Sequence, residues 1–301
     1  KLTKVLQKCT VHCMNIAPPI PNYTNLRAIK PGYETRFQID TEHPLHNDPL
    51  VDPREHPWFA DASSYYSKPN KMTGERLPGV PDAPLIRNDI LCRILRAEKF
   101  LRTDRDVRDV LGAPMHLKID DGLRPHEVQQ FAFDIAWPAV IKRQNPHLTD
   151  EQVRAEVPIY CAKPNGLLVP TPHLTGGAVD VALINLETGD PINRGHTGGK
   201  IKGTAYPDFH EGYHLGGEYS DIENSSEQAE VAEASSEIVL GRRVIYHAMT
   251  KVAGLSVNPQ EIWHYGKGDP LSAFVDGTGH PYYGIANLPD WYTEQMNLMK
   301  P

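Results

Sequence analysis

Thr171-Pro-His-Leu-Thr-Gly-Gly-Ala-Val-Asp180-Val-Ala-Leu-Ile184 is the stretch on which the reading of this chain turns. After Gly176-Gly177, a short apolar and β-branched run leads to the turn signal Glu187-Thr-Gly-Asp190, which predicts a buried strand containing Asp180. A carboxylate buried without a partner costs several kcal/mol, and a divalent cation is one of the few groups that offset this. His173 lies in the turn entering the strand, where the two glycines let the backbone bend tightly toward the same point.

About eighty residues later, Glu261-Ile-Trp-His264 supplies a second imidazole. Two imidazoles and one carboxylate are what a catalytic Zn²⁺ site with an open fourth position requires. Glu261, three positions before His264, is a carboxylate able to take a proton from an attacking water without filling the coordination shell. Strict strand alternation sends Glu261 and His264 to opposite faces, so a turn or bulge is expected between them. Taken singly these residues say little. Most of the fourteen histidines serve the surface or the core, and a lone aspartate more often closes a turn or a salt bridge. The joint pattern reads as metal-assisted hydrolysis.

Thr171-x-His173-x2-Gly176-x-Ala178-x-Asp180 resembles the Ser-x-His-x2-Gly-x-Ala-x-Asp signature of the zinc D-alanyl-D-alanine dipeptidases of the vancomycin-resistance type. Glu261-x-Trp-His264 is similar to their Glu-Trp-Trp-His segment, Asp121-Gly-Leu-Arg-Pro125 to their Asp-Gly-Tyr-Arg-Pro, and Gly241-Arg-Arg243 to their Asn-Arg-Arg. The likeness runs from about residue 85 to 270. It implies an α+β fold, with a central, mostly antiparallel sheet flanked by helices, of the hedgehog-like D,D-peptidase kind.

The resemblance also implies Zn²⁺ held by His173, Asp180 and His264, with Glu261 as base and then acid toward the leaving amine. Arg124 would steady the oxyanion, worth roughly 3 to 4 kcal/mol by analogy with a single oxyanion donor. Thr171 stands where the family has serine and keeps a hydroxyl for a substrate carboxylate, while Asp121 orients the arginine or its neighbours. Residues Gly195 to Tyr206 look like an insertion where the family has its ammonium-binding aspartate, and Asp208 is the nearest candidate for that role. The implied partner is a short peptide of cell-wall chemistry, first of all D-Ala-D-Ala. A D,D-carboxypeptidase, a peptidoglycan endopeptidase or a non-hydrolytic zinc protein of the same fold are the alternatives. Family members of the resistance type work in the cytoplasm and others in the periplasm.

A competing motif, His210-Glu-Gly-Tyr-His214, fits H-E-x-x-H, which binds zinc through two histidines one helical turn apart. Pro207 before it, Gly212 within it and Gly216-Gly217 after it disfavour the helix which that mechanism needs.

A net charge of −7 and a pI near 6.1 give no support for nucleic-acid partners or an anionic membrane surface. No apolar run approaches the roughly 18 residues of a membrane-spanning helix. Lys1 opens the sequence without a methionine and reads as a processed or trimmed chain. Cys9, Cys13, Cys92 and Cys161 are too few and scattered for a disulfide framework; Cys9 and Cys13 are either two free thiols or a bridge or metal pair.

Two regions are expected: a Pro-rich extension over residues 1–82 wrapping the core, and a catalytic domain over residues 83–301. The extension holds Pro18-Pro19, Pro21, Pro44, Pro49, Pro53 and Pro57, with a strand at Tyr33–Asp40. In the domain, periodicity predicts helices over Leu85–Leu101, Arg124–Lys142 and about Ser226–Val252, a strand over Met115–Asp120, and a capping box at Thr149-Asp-Glu-Gln152.

Overall fold

A computed structural model describes residues 37–64, 67, 79–164, 170–190, 192, 237–258 and 261–298. Two short strands, β1 (Leu50–Val51) and β2 (Ile86–Arg87), pair antiparallel. The principal sheet contains β3 (Met115–Asp121), β4 (Ala178–Asn185), β5 (Ser256–Asn258) and β6 (Glu261–Gly266) in the order β3-β4-β6-β5, every neighbouring pair antiparallel.

The helices in chain order are α1 (Asn88–Thr103), α2 (Arg105–Leu111), α3 (His126–Phe131), α4 (Trp137–Gln144), α5 (Asp150–Tyr160), α6 (Glu237–His247), α7 (Pro270–Val275) and α8 (Asp290–Leu298). This α+β arrangement agrees with the expected class. Ile90, Ile94, Ala97 and Leu101 recur at helical spacing on α1 and are fully buried. They join Leu117, Ile119, Val179, Val181, Leu183, Val244, Met249, Val257 and Tyr265 in the main core, where each large side chain contributes about 1.5 to 3 kcal/mol. Because strand side chains alternate, Val179 and Val181 serve this core while Asp180 between them turns to the opposite face.

Helices α3 and α4 are joined by a single π turn at Ala132–Ala136, so the predicted helix from the arginine turn to Lys142 forms with one bulge inside it. Ala132, Ile141, Val153, Val157 and Cys161 knit it to α5 as a satellite cluster. Thr149 and Gln152 form the expected capping box. The predicted helix ending at Val252 is present from Glu237, as α6 continued by a π turn at Ala248–Val252; residues 226–236 lie outside the described residues.

Two expectations are corrected. The helix read from Leu85 begins at Asn88, because Ile86 and Arg87 pair with β1 and the Arg87 N–H is donated to Gly176 O. Phe37–Asp40, the described part of the predicted strand, is irregular. Asp40 N–H does reach Pro281 O at 2.8 Å, but a proline has no N–H to return, so no ladder grows there. The segment is held instead by ring contacts, His43 stacking on Tyr282 with centroids 3.9 Å apart and Phe37 lying by Phe274.

Candidate metal centre

Three segments far apart in sequence meet through strand register. Asp180 on β4 lies opposite Asp121 of β3 on one side and opposite His264 of β6 on the other. The β3–β4 register shifts between Ile119 and Asp121. Without that shift Asp120 would oppose Asp180; the irregularity moves Asp121 to the face carrying the metal candidates. A second shift, between Val257 and Asn258 on β5, sets Val257 opposite Tyr265 and Asn258 opposite Glu261. This is the irregularity expected within Glu261–His264. The backbone of Glu261 opens β6, whereas its side chain lies outside the described residues.

His173 stands on a 3₁₀ turn, Pro172–Thr175, closed by Gly176 at φ 68°. The left-handed backbone requires glycine at 176, and at Gly177 a β-carbon would come within 2.8 Å of Lys267 O, so space requires glycine there. Thr175 Oγ1 donates to Pro172 O and accepts from Gly177 N, bracing the turn from inside. His173 Nδ1–H donates to Gly122 O at 2.7 Å, which leaves the Nε2 lone pair facing Asp180 and His264. Gly122 has no room for a side chain, since a β-carbon there would meet Leu85 O at 2.5 Å.

His173 Nε2 lies 3.3 Å from Asp180 Oδ1 and 3.1 Å from His264 Nδ1, and His264 Nδ1 lies 3.0 Å from Asp180 Oδ1. A tetrahedral zinc with ligand bonds near 2.0–2.2 Å has ligand–ligand edges of about 3.3 Å, so the three donors fit one face of such a site. All three residues are buried. Among the described residues they are the one group of His, Cys, Asp and Glu side chains arranged to hold a metal ion. Burial by itself raises the Asp180 carboxyl; the neighbouring imidazoles of His173 and His264 outweigh it and hold the group well below the usual carboxylate range.

Arg124 reaches this face from the loop after β3. Its Nη2 donates to Asp121 Oδ2 at 2.7 Å and its Nη1 to Gln129 Oε1 at 2.8 Å, while its backbone N–H donates to His173 O. Asp121 accepts from Ser64 Oγ through its other oxygen. Gln129 in turn donates to Ala162 O at 2.6 Å. Thr171 is buried, and its hydroxyl has no hydrogen-bond partner among the described residues.

Of the residues singled out in the sequence, His173, Asp180, His264, Asp121 and Arg124 are brought together, with Thr171 two positions before His173. Asp208, the insertion around Gly195–Tyr206 and the His210–His214 motif lie outside the described residues. Sequence reading missed Gln129 and Ser64. Gln129 left one sign, a polar residue on the buried side of a predicted helix; Ser64, 57 residues from its partner, left none.

No protein-family model matches the chain. A D-alanyl-D-alanine dipeptidase of Synechocystis sp. is 29% identical over 178 residues, covering 54% of this chain and 66% of that protein. The likeness to D-alanyl-D-alanine dipeptidases carried by the motifs is thus borne out at that level, over a stretch spanning somewhat less than two thirds of the relative.

Proposed function

We propose that the chain is a zinc-dependent peptidase acting on a short peptide, with D-Ala-D-Ala as its first substrate. The observation that carries this is the convergence of His173 Nε2, Asp180 Oδ1 and His264 Nδ1 within 3.0–3.3 Å of one another. These side chains would hold Zn²⁺. Bound there, the ion supplies Lewis acidity and makes water nucleophilic near neutral pH.

Glu261 serves as general base and then delivers its proton to the leaving amine. Arg124, clamped by Asp121 and Gln129, offers its guanidinium to the oxyanion that develops on the attacked carbonyl, without having to reorganise. Thr171 contributes an unspent hydroxyl to the substrate carboxylate, and Asp208 receives the substrate ammonium. Residues 83–301 form the catalytic domain and residues 1–82 its extension; the contacts of His43, His46 and Asp40 with the segment around Pro281–Tyr282 support a wrapping of the core by the described part of that extension.

The test is zinc content together with D-alanine release from D-Ala-D-Ala, for the native chain and for Glu261→Gln. Retained zinc with loss of turnover in the variant supports the assignment. If the native protein binds zinc and cleaves only N-blocked peptides, the dipeptidase reading fails in favour of a carboxypeptidase. A protein that takes up no zinc refutes the site itself.

A further inference from the structure

A pocket of about 360 Å³ lies next to the His173 turn, and none of His173, Asp180 and His264 lines it. That volume is at the small end of ligand sites and suits an amino acid or a dipeptide. Arg87 lines the pocket and is 8% exposed. Its Nε donates to Thr175 O at 2.8 Å, its Nη1 donates to Asp48 O, and the guanidinium lies over the Tyr283 ring, 4.9 Å from the centroid. Both hydrogen-bond acceptors are neutral carbonyls. Three of the five guanidinium N–H groups therefore have no protein acceptor among the described residues. Burial lowers the Arg87 pKa, and the nearby Asp48 carboxylate offsets this only in part; no carboxylate hydrogen-bonds the guanidinium among the described residues, and one fits its planar fork.

Asp48 lines the same pocket. One of its oxygens accepts from Asp89 N at the start of α1, and the other accepts no hydrogen bond among the described residues. This second charge decides the ligand class. A simple anion satisfies Arg87 but is repelled by Asp48, and a simple cation meets the reverse problem; a molecule bearing both charges satisfies both. Trp291, 42% exposed, and Ala286 supply an apolar wall.

We propose that this pocket binds a zwitterionic amino-acid-like ligand, its carboxylate on Arg87, its ammonium on Asp48 and its side chain against Trp291. The same guanidinium holds Thr175 O, and the Arg87 N–H holds Gly176 O, so an occupant bears on the turn that carries His173. Binding of this ligand class does not depend on the hydrolytic reading of the metal centre.

The experiment is calorimetric titration of the full chain with D-alanine, in carboxylate-free buffer, for native protein and for Asp180→Asn, in which the metal centre is disabled. Binding near the millimolar range is expected in both. It should weaken roughly tenfold or more in Trp291→Ala and Asp48→Asn, as loss of a packed ring or a charge-assisted hydrogen bond implies. Acetate and methylammonium, each carrying half of the ligand, should bind roughly tenfold more weakly than D-alanine. These two variants alter partly exposed side chains, so the test stands even if an Arg87 substitution fails to fold. The proposal is overturned if Asp180→Asn does not bind D-alanine, if Trp291→Ala and Asp48→Asn bind like the native chain, or if acetate matches D-alanine.

Discussion

Two clusters of ionisable side chains, each centred on buried groups, sit on the same sheet and resolve their charge in opposite ways. At the end of α1, His116 Nδ1 lies 2.8 Å from Glu98 Oε1 and its Nε2 lies 3.1 Å from Asp61 Oδ1, while Arg102 binds Glu98 from the other side. Imidazolium plus guanidinium balance two carboxylates, so this cluster is neutral by itself. Around Asp180 the donors are arranged otherwise. His173 has spent its Nδ1–H on a carbonyl, so its Nε2 lone pair faces Asp180 Oδ1 and His264 Nδ1. One cluster is complete as folded, whereas the other has the donor set of the proposed metal site. The identity of the buried residues does not distinguish a structural network from a metal site; the direction of their lone pairs does.

The largest effect expected from this contrast is in Asp180→Asn. Zinc content should fall from about one equivalent to almost none, D-alanine release should disappear, and the rise in melting temperature on adding zinc should vanish. If that rise survives, the Asp180 cluster is not the metal site. His116→Leu removes one of the two cations that pair with Glu98, leaving Arg102 and the Leu117 N–H on it. It should cost about 1.5 to 3 kcal/mol in urea unfolding while the zinc-dependent rise is kept.

The pH dependence sharpens the same point. Burial alone would lower His116, but its hydrogen bonds to Asp61 and Glu98 prevail and raise it to about 9. The folded value lies above the unfolded one, so the stabilisation is fully present below about pH 6.5 and is lost as pH rises through about 9. It amounts to at most about 3 kcal/mol, reduced because Asp61 is half exposed. Unfolding midpoints across this range should fall in the native chain and stay flatter in His116→Leu; equal slopes would remove the ion-pair account.

The smallest effect is on Gln129→Leu, which keeps the metal donors and removes one hydrogen bond that orients Arg124. A lost bond to a charged group is worth about 1.5 to 3 kcal/mol, or roughly tenfold to a hundredfold in kcat/KM, with zinc content unchanged. An unaltered kcat/KM would show that Asp121 alone is enough to hold the guanidinium.

Sequence legibility followed the range of each interaction. The strand around Asp180, the glycine-bounded turn at His173, the capping box at Thr149 and the helical run after Arg124 were all readable, because each depends on residues within a few positions of one another. The start of α1 was misread by three residues, since the apolar pattern continues through Ile86 and only pairing with Leu50–Val51 assigns those residues to a strand. Nothing local separates the two states of a short apolar run. The predicted strand ending at Asp40 gave way for a related reason: its backbone reaches across the chain to a proline carbonyl, which has no N–H to return, and otherwise accepts a local bond from His43 N.

By itself the sequence singled out the candidate donor set, two histidines and an aspartate whose joint pattern reads as a metal site, and its resemblance to a known family added the arginine. Tertiary structure alone decided that Asp121, Asp180 and His264 stand in one row across three strands, that a shift in β3 turns Asp121 toward the site, and that Ser64 and Gln129 brace Asp121 and Arg124. The reason is physical. Helix periodicity, caps and turns depend on torsions and hydrogen bonds over three or four residues, whereas strand register between distant segments is settled by which pairing buries the most apolar surface on the core face.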